Sequence, residues 1–240
     1  RKHKIVLFQM SVLFNIFKTA AYALRGRHLN RYYVVRTGLN FLLRILKPKS
    51  VIVDGNRVFL DKDDSMRLSI LGIYEPLMVK NFKEQLKKGD IVLDIGAHIG
   101  YYTLLAAKYV GSKGKVYAFE PNPDNCKLLT KNLKVNGYKN VFLINKAIAD
   151  STKRAKLFLS RVSTGMHSLI DIDSSRDNIV VDIVSIDDFF GKDLPRVSLI
   201  KMDIEGGEYS ALEGMRRLLG NSKHLAIFTE FSPFSIRKAK

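Results

Sequence analysis

Asp94-Ile95-Gly96-Ala97-His98-Ile99-Gly100 stands between the apolar run Ile91-Val92-Leu93 and a helical stretch from Tyr101 to Tyr109. Strand, tight glycine turn and helix in that order bring backbone close to a ligand at the carboxyl edge of a parallel sheet, where doubly wound folds bind nucleotide cofactors. The turn lacks G-x-G-x-x-G, and a glycine loop that only joins strand to helix is the alternative. Glu120 favours the cofactor reading. It closes the apolar run Val116-Tyr117-Ala118-Phe119 about twenty residues after Gly100, where a carboxylate can accept both hydroxyls of a ribose.

A second charged group, Lys201-Met202-Asp203-Ile204-Glu205-Gly206-Gly207-Glu208, ends the apolar strand Val197-Ser198-Leu199-Ile200. Strand alternation sends Lys201, Asp203 and Glu205 to one face. Charges at that end of a parallel sheet are costly unless paired or used. The alternative is an ion-pair network that caps the helix opened by Glu208. Asp203 and Glu205 can offer oxygen ligands, but no third ligand is evident in the sequence and no metal is expected.

The elements that carry these residues alternate. Strand 91–95, helix 100–110, strand 115–120, helix 123–135 capped by Asn122, and strand 141–147 make a β-α-β-α-β run. Strand 197–203, a helix from Glu208 to Leu219 and strand 225–229 resume it. The fold class is therefore α/β, a doubly wound and mainly parallel sheet with right-handed crossovers. Ahead of it, Asp54-Gly55 turns a hairpin between 51–53 and 58–60. Pro76 opens a helix to about Lys88 with Leu77, Phe82 and Leu86 for burial. The organisation expected is an extension over 1–50 and a domain over 51–240, divided into a hairpin lead-in at 51–73 and a core at 74–240. An insertion at 153–184, with strands at 155–159 and 179–184 around Ser163, Thr164, His167 and Ser168, interrupts the core on the acceptor side. His167 is either a base or a surface residue.

Charge is concentrated at one end. Residues 1–50 hold eleven of the 40 Lys and Arg and none of the 23 Asp and Glu. Within them Ile5 to Leu24 is mostly apolar but interrupted by Lys18, barely the roughly twenty residues a membrane span needs. An interfacial helix on anionic lipid, a packing helix and a span are the readings open, the first favoured. Nucleic acid is not expected, because a phosphate-tracking arm has no use for Val12-Leu13-Phe14 and Ile16-Phe17. The lone Cys126 cannot form an internal disulfide and is expected to pack. With no cleavage site after the apolar run, a cytoplasmic location, in part at the inner membrane surface, is expected. Oligomeric state is not readable.

The glycine turn with Asp94, F-E-P-N-P at 119–123, A-I-A-D at 147–150 and K-M-D-I-E-G-G-E at 201–208 together resemble the FkbM-type methyltransferases, from roughly Glu75 to Glu230. His98 stands where that family more often carries Asn. The resemblance implies a Rossmann-like class I methyltransferase fold with S-adenosylmethionine as cofactor. It implies that the Gly96, Ala97, His98, Gly100 turn meets the methionine part, Asp94 its ammonium and Glu120 the ribose, beside Asn122. Ala149 and Asp150 would meet the adenine amino group, and Glu75 of Tyr74-Glu75-Pro76 would close over the cofactor. Asp203 would orient or deprotonate an acceptor hydroxyl, with Lys201 and Glu205 beside it. O-methylation of a sugar, glycolipid or small metabolite is expected. A sheet of this class normally adds an antiparallel pair after the fifth strand, so truncation or a different closure is expected near Lys240. The rival readings are a nicotinamide-dependent oxidoreductase and a non-catalytic adaptor at a membrane surface.

Overall fold

A computed structural model describes residues 13–16, 19, 38, 41–42, 44–160, 163–171 and 177–230. The expectations for Ile5 to Leu24 and for the chain after Glu230 therefore fall almost wholly outside the described residues. Among those described, no helix is long and apolar enough to cross a membrane.

Strands β1 (Ser50–Val53) and β2 (Asn56–Phe59) form the expected antiparallel hairpin. Asp54 and Gly55 have φ of 50° and 80°, the pair of left-handed residues that matches strand twist in a two-residue hairpin. Two amides of a later helix dock it: the β2 backbone exchanges hydrogen bonds with the side chains of Asn132 and Asn136.

After α1 (Leu68–Leu71), helix α2 covers Pro76–Gln85, shorter than the sequence suggests. Its inward stripe is Val79 and Phe82, continued by Leu86, whereas Leu77 is 72% exposed. The reason is helical period. A stripe at 79, 82 and 86 leaves position 77 on the opposite side.

The core sheet is β3 (Ile91–Ile95), β4 (Lys115–Phe119), β5 (Val141–Ile144), β9 (Leu199–Met202) and β10 (Ala226–Thr229), in the order β10-β9-β3-β4-β5 and parallel throughout. The chain enters at the central strand, winds outward to β5 and returns to the other side of β3. That reversal opens a crevice at the carboxyl ends of β3 and β9. Alternation divides the sheet residues between two layers: Val92 and Leu199 pack with α2, α3 (Tyr101–Val110) and α4 (Pro123–Asn136). Leu93, Ile95, Ile200 and Met202 pack with α5 (Ile186–Phe190), α6 (Glu208–Glu213) and α7 (Arg216–Asn221).

Two expected elements are divided, each by a tertiary contact. The strand expected over 141–147 stops at Ile144, because the Asn145 amide donates to the carbonyls of Glu120 and Pro121 at 2.8 and 3.0 Å. Ala147–Ile148 then forms β6, which pairs with β8 (Asn178–Val184) in a second sheet completed by β7 (Lys153–Phe158). The helix expected from Glu208 to Leu219 breaks at Gly214, where a Cβ would lie 2.0 Å from the Ala149 carbonyl. Asp187 restarts it by accepting from the Arg217 and Leu218 N–H groups at 2.8 and 2.9 Å. Ser185 caps α5 by accepting the Asp188 N–H, and the Asp188 carboxylate accepts the Thr152 hydroxyl.

Candidate active site

The turn after β3 is shaped by close approach. Gly96 has φ 83°, and a Cβ there would lie 2.0 Å from the carbonyl oxygen of Asp203. No side chain fits between the ends of β3 and β9. Gly100, with φ 91°, opens α3 and presses on α4, since a Cβ would meet Leu129 Cδ1 at 2.1 Å. The N–H groups of Gly96 and Ala97 both donate to the Phe119 carbonyl, so these two amides hold the turn to β4. His98 takes φ 51°, a left-handed conformation that His tolerates better than most residues. Its N–H then donates to Glu120 Oε2 at 2.8 Å.

Glu120 is enclosed at the end of β4. Its Oε1 accepts from the Asn122 N–H at 2.9 Å and the Asn125 amide at 3.2 Å. Among the described residues no cation pairs with it. Burial pushes its pKa up to about 7 against the pull of those donors. Asn122 serves α4, accepting from the Asp124 and Asn125 N–H groups, a cap of about 1 kcal/mol.

Glu120 faces a cleft walled by Ile95, Gly96, His98, Phe119, Pro121, Asn125, Lys146, Ala147, Ile148, Leu157, Thr164, Gly165, His167, Leu169 and Asp203 among others. The stretch 163–169 of the insertion thus borders the same cleft as Glu120. Thr164 reaches His98 Nε2 with its hydroxyl at 2.8 Å and receives the Asn125 amide on its carbonyl at 3.1 Å. His167 Nδ1 accepts the Ser160 N–H at 3.0 Å, so that nitrogen is not a free base.

The opposite layer carries the ionic group. Asp94 and Lys201 are paired in register across β3 and β9. The Asp94 carboxylate accepts the Thr103 hydroxyl, and burial pushes its pKa up to about 6 against that bond and the charge of Lys201. The Lys201 ammonium is buried, 3.1 Å from Asp203 Oδ2 and 4.9 Å from the Tyr102 ring centroid. Glu205 joins by a different route from strand alternation. The strand ends at Met202, and Glu205 sits in a turn at φ 54°. Glu208 fixes that turn by accepting from the N–H groups of Ile204 and Gly206, and Ser168 of the insertion donates to the Glu205 carbonyl.

Asp203, Glu205 and Glu230 each bring a carboxylate oxygen within 4.8 Å of the others. Glu230 is the third carboxylate that the sequence did not join to the pair, and three such oxygens can in principle coordinate a divalent cation. Lys201 already places a positive charge on Asp203. Burial, then Asp203, Glu208 and Glu75, push the Glu230 pKa up. Tyr74 is pushed up to about 12 by burial and then by Glu75, Asp203, Glu230 and Glu205. Glu75, at φ 47°, accepts the Tyr102 hydroxyl at 2.8 Å, and so belongs with this group, away from the Glu120 cleft.

Several residues expected at the cofactor do not line this cleft. Asp150 is exposed and bonded to Ser151, with Lys153 at 3.5 Å. The Ala149 carbonyl meets Gly214, and the Asp150 N–H donates to Ser210 of α6. The bend at Asn145 displaces the cleft wall to Lys146, Ala147 and Ile148. Ala97, Gly100 and Asn122 position the turn and α4 without lining the cleft. Cys126 is buried with its thiol pushed up to about 12, chiefly by desolvation, which makes it inert. Asn125 and Thr164 also line the cleft, beyond the residues expected at the cofactor.

The cleft suits a nucleoside. It offers a buried carboxylate for hydroxyl groups, apolar walls at Phe119, Ile148 and Leu157 for a base, and no side chain at Gly96. Comparison with known proteins finds several relatives. Hexuronic acid methyltransferase AglP of Haloferax volcanii is 25% identical over 144 residues, 59% of this chain and 56% of that protein. A protein-L-isoaspartate O-methyltransferase of Ignicoccus hospitalis is 35% identical over 83 residues, 34% of this chain and 38% of the other. The match with AglP therefore spans little more than half of that relative. The crystal structure of methyltransferase FkbM from Methylobacillus flagellatus aligns with a TM-score of 0.42 at 26% identity, covering 60% of this chain and 32% of that one. The sequence model of the methyltransferase FkbM domain matches residues 94–238, from the acid of the glycine turn past the last described strand, and the chain belongs to that family.

Proposed function

We propose that this chain is an S-adenosylmethionine-dependent methyltransferase that methylates a hydroxyl oxygen of a sugar, glycolipid or other small metabolite. The observation that carries the reading is the position of Asp203. Its backbone carbonyl touches Gly96 beside the nucleoside cleft, while its carboxylate reaches Lys201 in the acidic group. One residue thus joins the cofactor side to a polar side where an acceptor can lie.

When bound, S-adenosylmethionine supplies an electrophilic sulfonium methyl, whose C–S bond breaks as the acceptor oxygen bonds to carbon. The residues of the chain bind and align. Glu120 accepts ribose hydroxyls, Phe119, Ile148 and Leu157 exclude water around the base, and Gly96 leaves room for close approach. Asp94, held by Thr103 and near the charge of Lys201, supplies negative charge beneath the turn for an ammonium group. Asp203 accepts the proton that the acceptor hydroxyl loses, with Lys201 fixing the carboxylate, and Glu205 and Glu230 complete the acidic wall. The hexuronic acid named for AglP supports a sugar as acceptor. A mass-spectrometric screen of glycan and metabolite extracts for products one methyl heavier, formed only with enzyme and cofactor together, tests this. Methyl gain confined to nitrogen or sulfur acceptors would overturn the oxygen assignment.

The acid-free, base-rich residues 1–50 support peripheral contact with anionic membrane on the cytoplasmic side, each base near the surface contributing about 1 kcal/mol. The full chain should sediment with acidic liposomes at low salt and be released at high salt, as screening shortens the reach of its charges. Failure to sediment at low salt would rule this contact out.

A further inference from the structure

His98 contains a buried polar atom with no partner. The residue is 6% exposed, and its Nδ1 finds no hydrogen bond among the described residues. The ring is not loosely held. Its Nε2 lies 2.8 Å from the Thr164 hydroxyl, and its own N–H holds Glu120 Oε2. Gly165 packs beside the Nδ1 edge of the ring, where a Cβ would lie 3.6 Å from both Nδ1 and Cε1. His98, Glu120, Thr164 and Gly165 all line one cleft. Leaving a buried polar atom unpaired costs about 1–3 kcal/mol, so an orphan on a residue that lines a cleft is a place where a ligand atom can restore the bond.

We infer that His98 is a ligand-binding residue, its Nδ1–H donating to the ribose hydroxyl that itself donates to Glu120, with Thr164 orienting the ring through Nε2. This rests on the S-adenosylmethionine reading and adds a hydroxyl-specific contact to it. The inferred tautomer is the one in which the Thr164 hydroxyl donates to Nε2. Burial pushes the His98 pKa down to about 4, so the ring is neutral and bears one N–H. With the Thr164 hydroxyl donating to Nε2, that N–H is on Nδ1. A hydroxyl can donate and accept at once, and Glu120 Oε2 retains acceptor capacity beyond the single His98 N–H. The resulting chain runs from Thr164 to the ring and from Nδ1 to hydroxyl to carboxylate, each bond polarising the next. The insertion thereby contributes to nucleoside recognition from 66 positions away in sequence.

The test is a cycle between protein and ligand. Calorimetry of the full chain with S-adenosylhomocysteine and with its 2′-deoxy and 3′-deoxy analogues measures how strongly each hydroxyl is preferred. His98→Phe should weaken S-adenosylhomocysteine about tenfold and leave affinity for one deoxy analogue nearly unchanged, so the preference for that hydroxyl collapses. Any backbone strain from Phe at this left-handed position weakens all three ligands alike and cancels in the ratio. Thr164→Val, which leaves the turn backbone untouched, should lower the same ratio in the same direction. Equal weakening of all three ligands, or an unaltered hydroxyl preference in His98→Phe, would overturn the inference while leaving the methyltransferase reading intact. Failure of the wild-type chain to bind S-adenosylhomocysteine would overturn that reading and this one together.

Discussion

Cofactor binding should carry a pH signature written by Glu120. The carboxyl pairs with no cation among the described residues, and burial pushes it from 4.5 to about 7 although three N–H donors pull the other way. A ribose hydroxyl adds a further donor, which favours the ionised form. If the bound value returns to the ordinary range, affinity for S-adenosylhomocysteine rises about tenfold per pH unit between about pH 5 and 7 and then levels off. The whole span corresponds to about 3 kcal/mol. Binding at pH 7 should release about half a proton. Calorimetry in two buffers of different ionisation enthalpy reads that release directly, and titrations across the pH range read the slope. Asp94, pushed up to about 6, can add to the slope at lower pH, so Asp94→Asn and Glu120→Gln are run in parallel. A flat affinity from about pH 5 to 8, or a slope that survives in Glu120→Gln, would refute the argument. Stability of the free chain runs in the opposite direction. The folded pKa lies above the unfolded one, so the Glu120 contribution is fully present below pH 4.5 and is lost as pH rises through about 7.

Asp203→Asn should keep the fold and most cofactor affinity while turnover falls about a hundredfold, the scale of general-base assistance; turnover within threefold of wild type, roughly, would reduce Asp203 to a structural role. Gly96→Ala should be destabilising by about 2–4 kcal/mol, because the methyl meets the Asp203 carbonyl at 2.0 Å with the backbone at φ 83°. A denaturant midpoint equal to wild type would show that the two strand ends can separate without cost.

Local pattern made the sheet readable and tertiary contact obscured the rest. The apolar runs closing at Asp94 and Glu120 identify β3 and β4 because strands buried on both faces must be nearly continuous in Val, Ile, Leu and Phe. Glu205 reached the ionic group by a left-handed turn instead of by alternation, and no pattern of period two reports that. The break at Gly214 depends on the Ala149 carbonyl, 65 positions earlier in the sequence, so a helix over 208–219 was the correct local inference and the wrong structure. Asp150 lost its expected place for the same reason: α6 holds its backbone, and Asn145 bends the chain before it. Asn125 did leave a signal. With Asn132 it interrupts the apolar stripe of α4 around Leu129, and both amides are buried. Buried amides on such a stripe require partners; here they are Glu120 and Thr164 for one, the hairpin and Ile99 for the other. The His98–Thr164 bond joins residues too distant in sequence for any local rule.

The most direct test of the account is calorimetry of the full-length chain with S-adenosylhomocysteine and, separately, with NAD. A cleft that offers a buried carboxylate to a ribose, has no side chain at Gly96 and keeps the Gly96 and Ala97 amides bonded to Phe119 has no cradle for a pyrophosphate. The account predicts saturable binding of one S-adenosylhomocysteine per chain, weakened by Glu120→Ala, and no heat from NAD. Binding of NAD with no response to S-adenosylhomocysteine would contradict it.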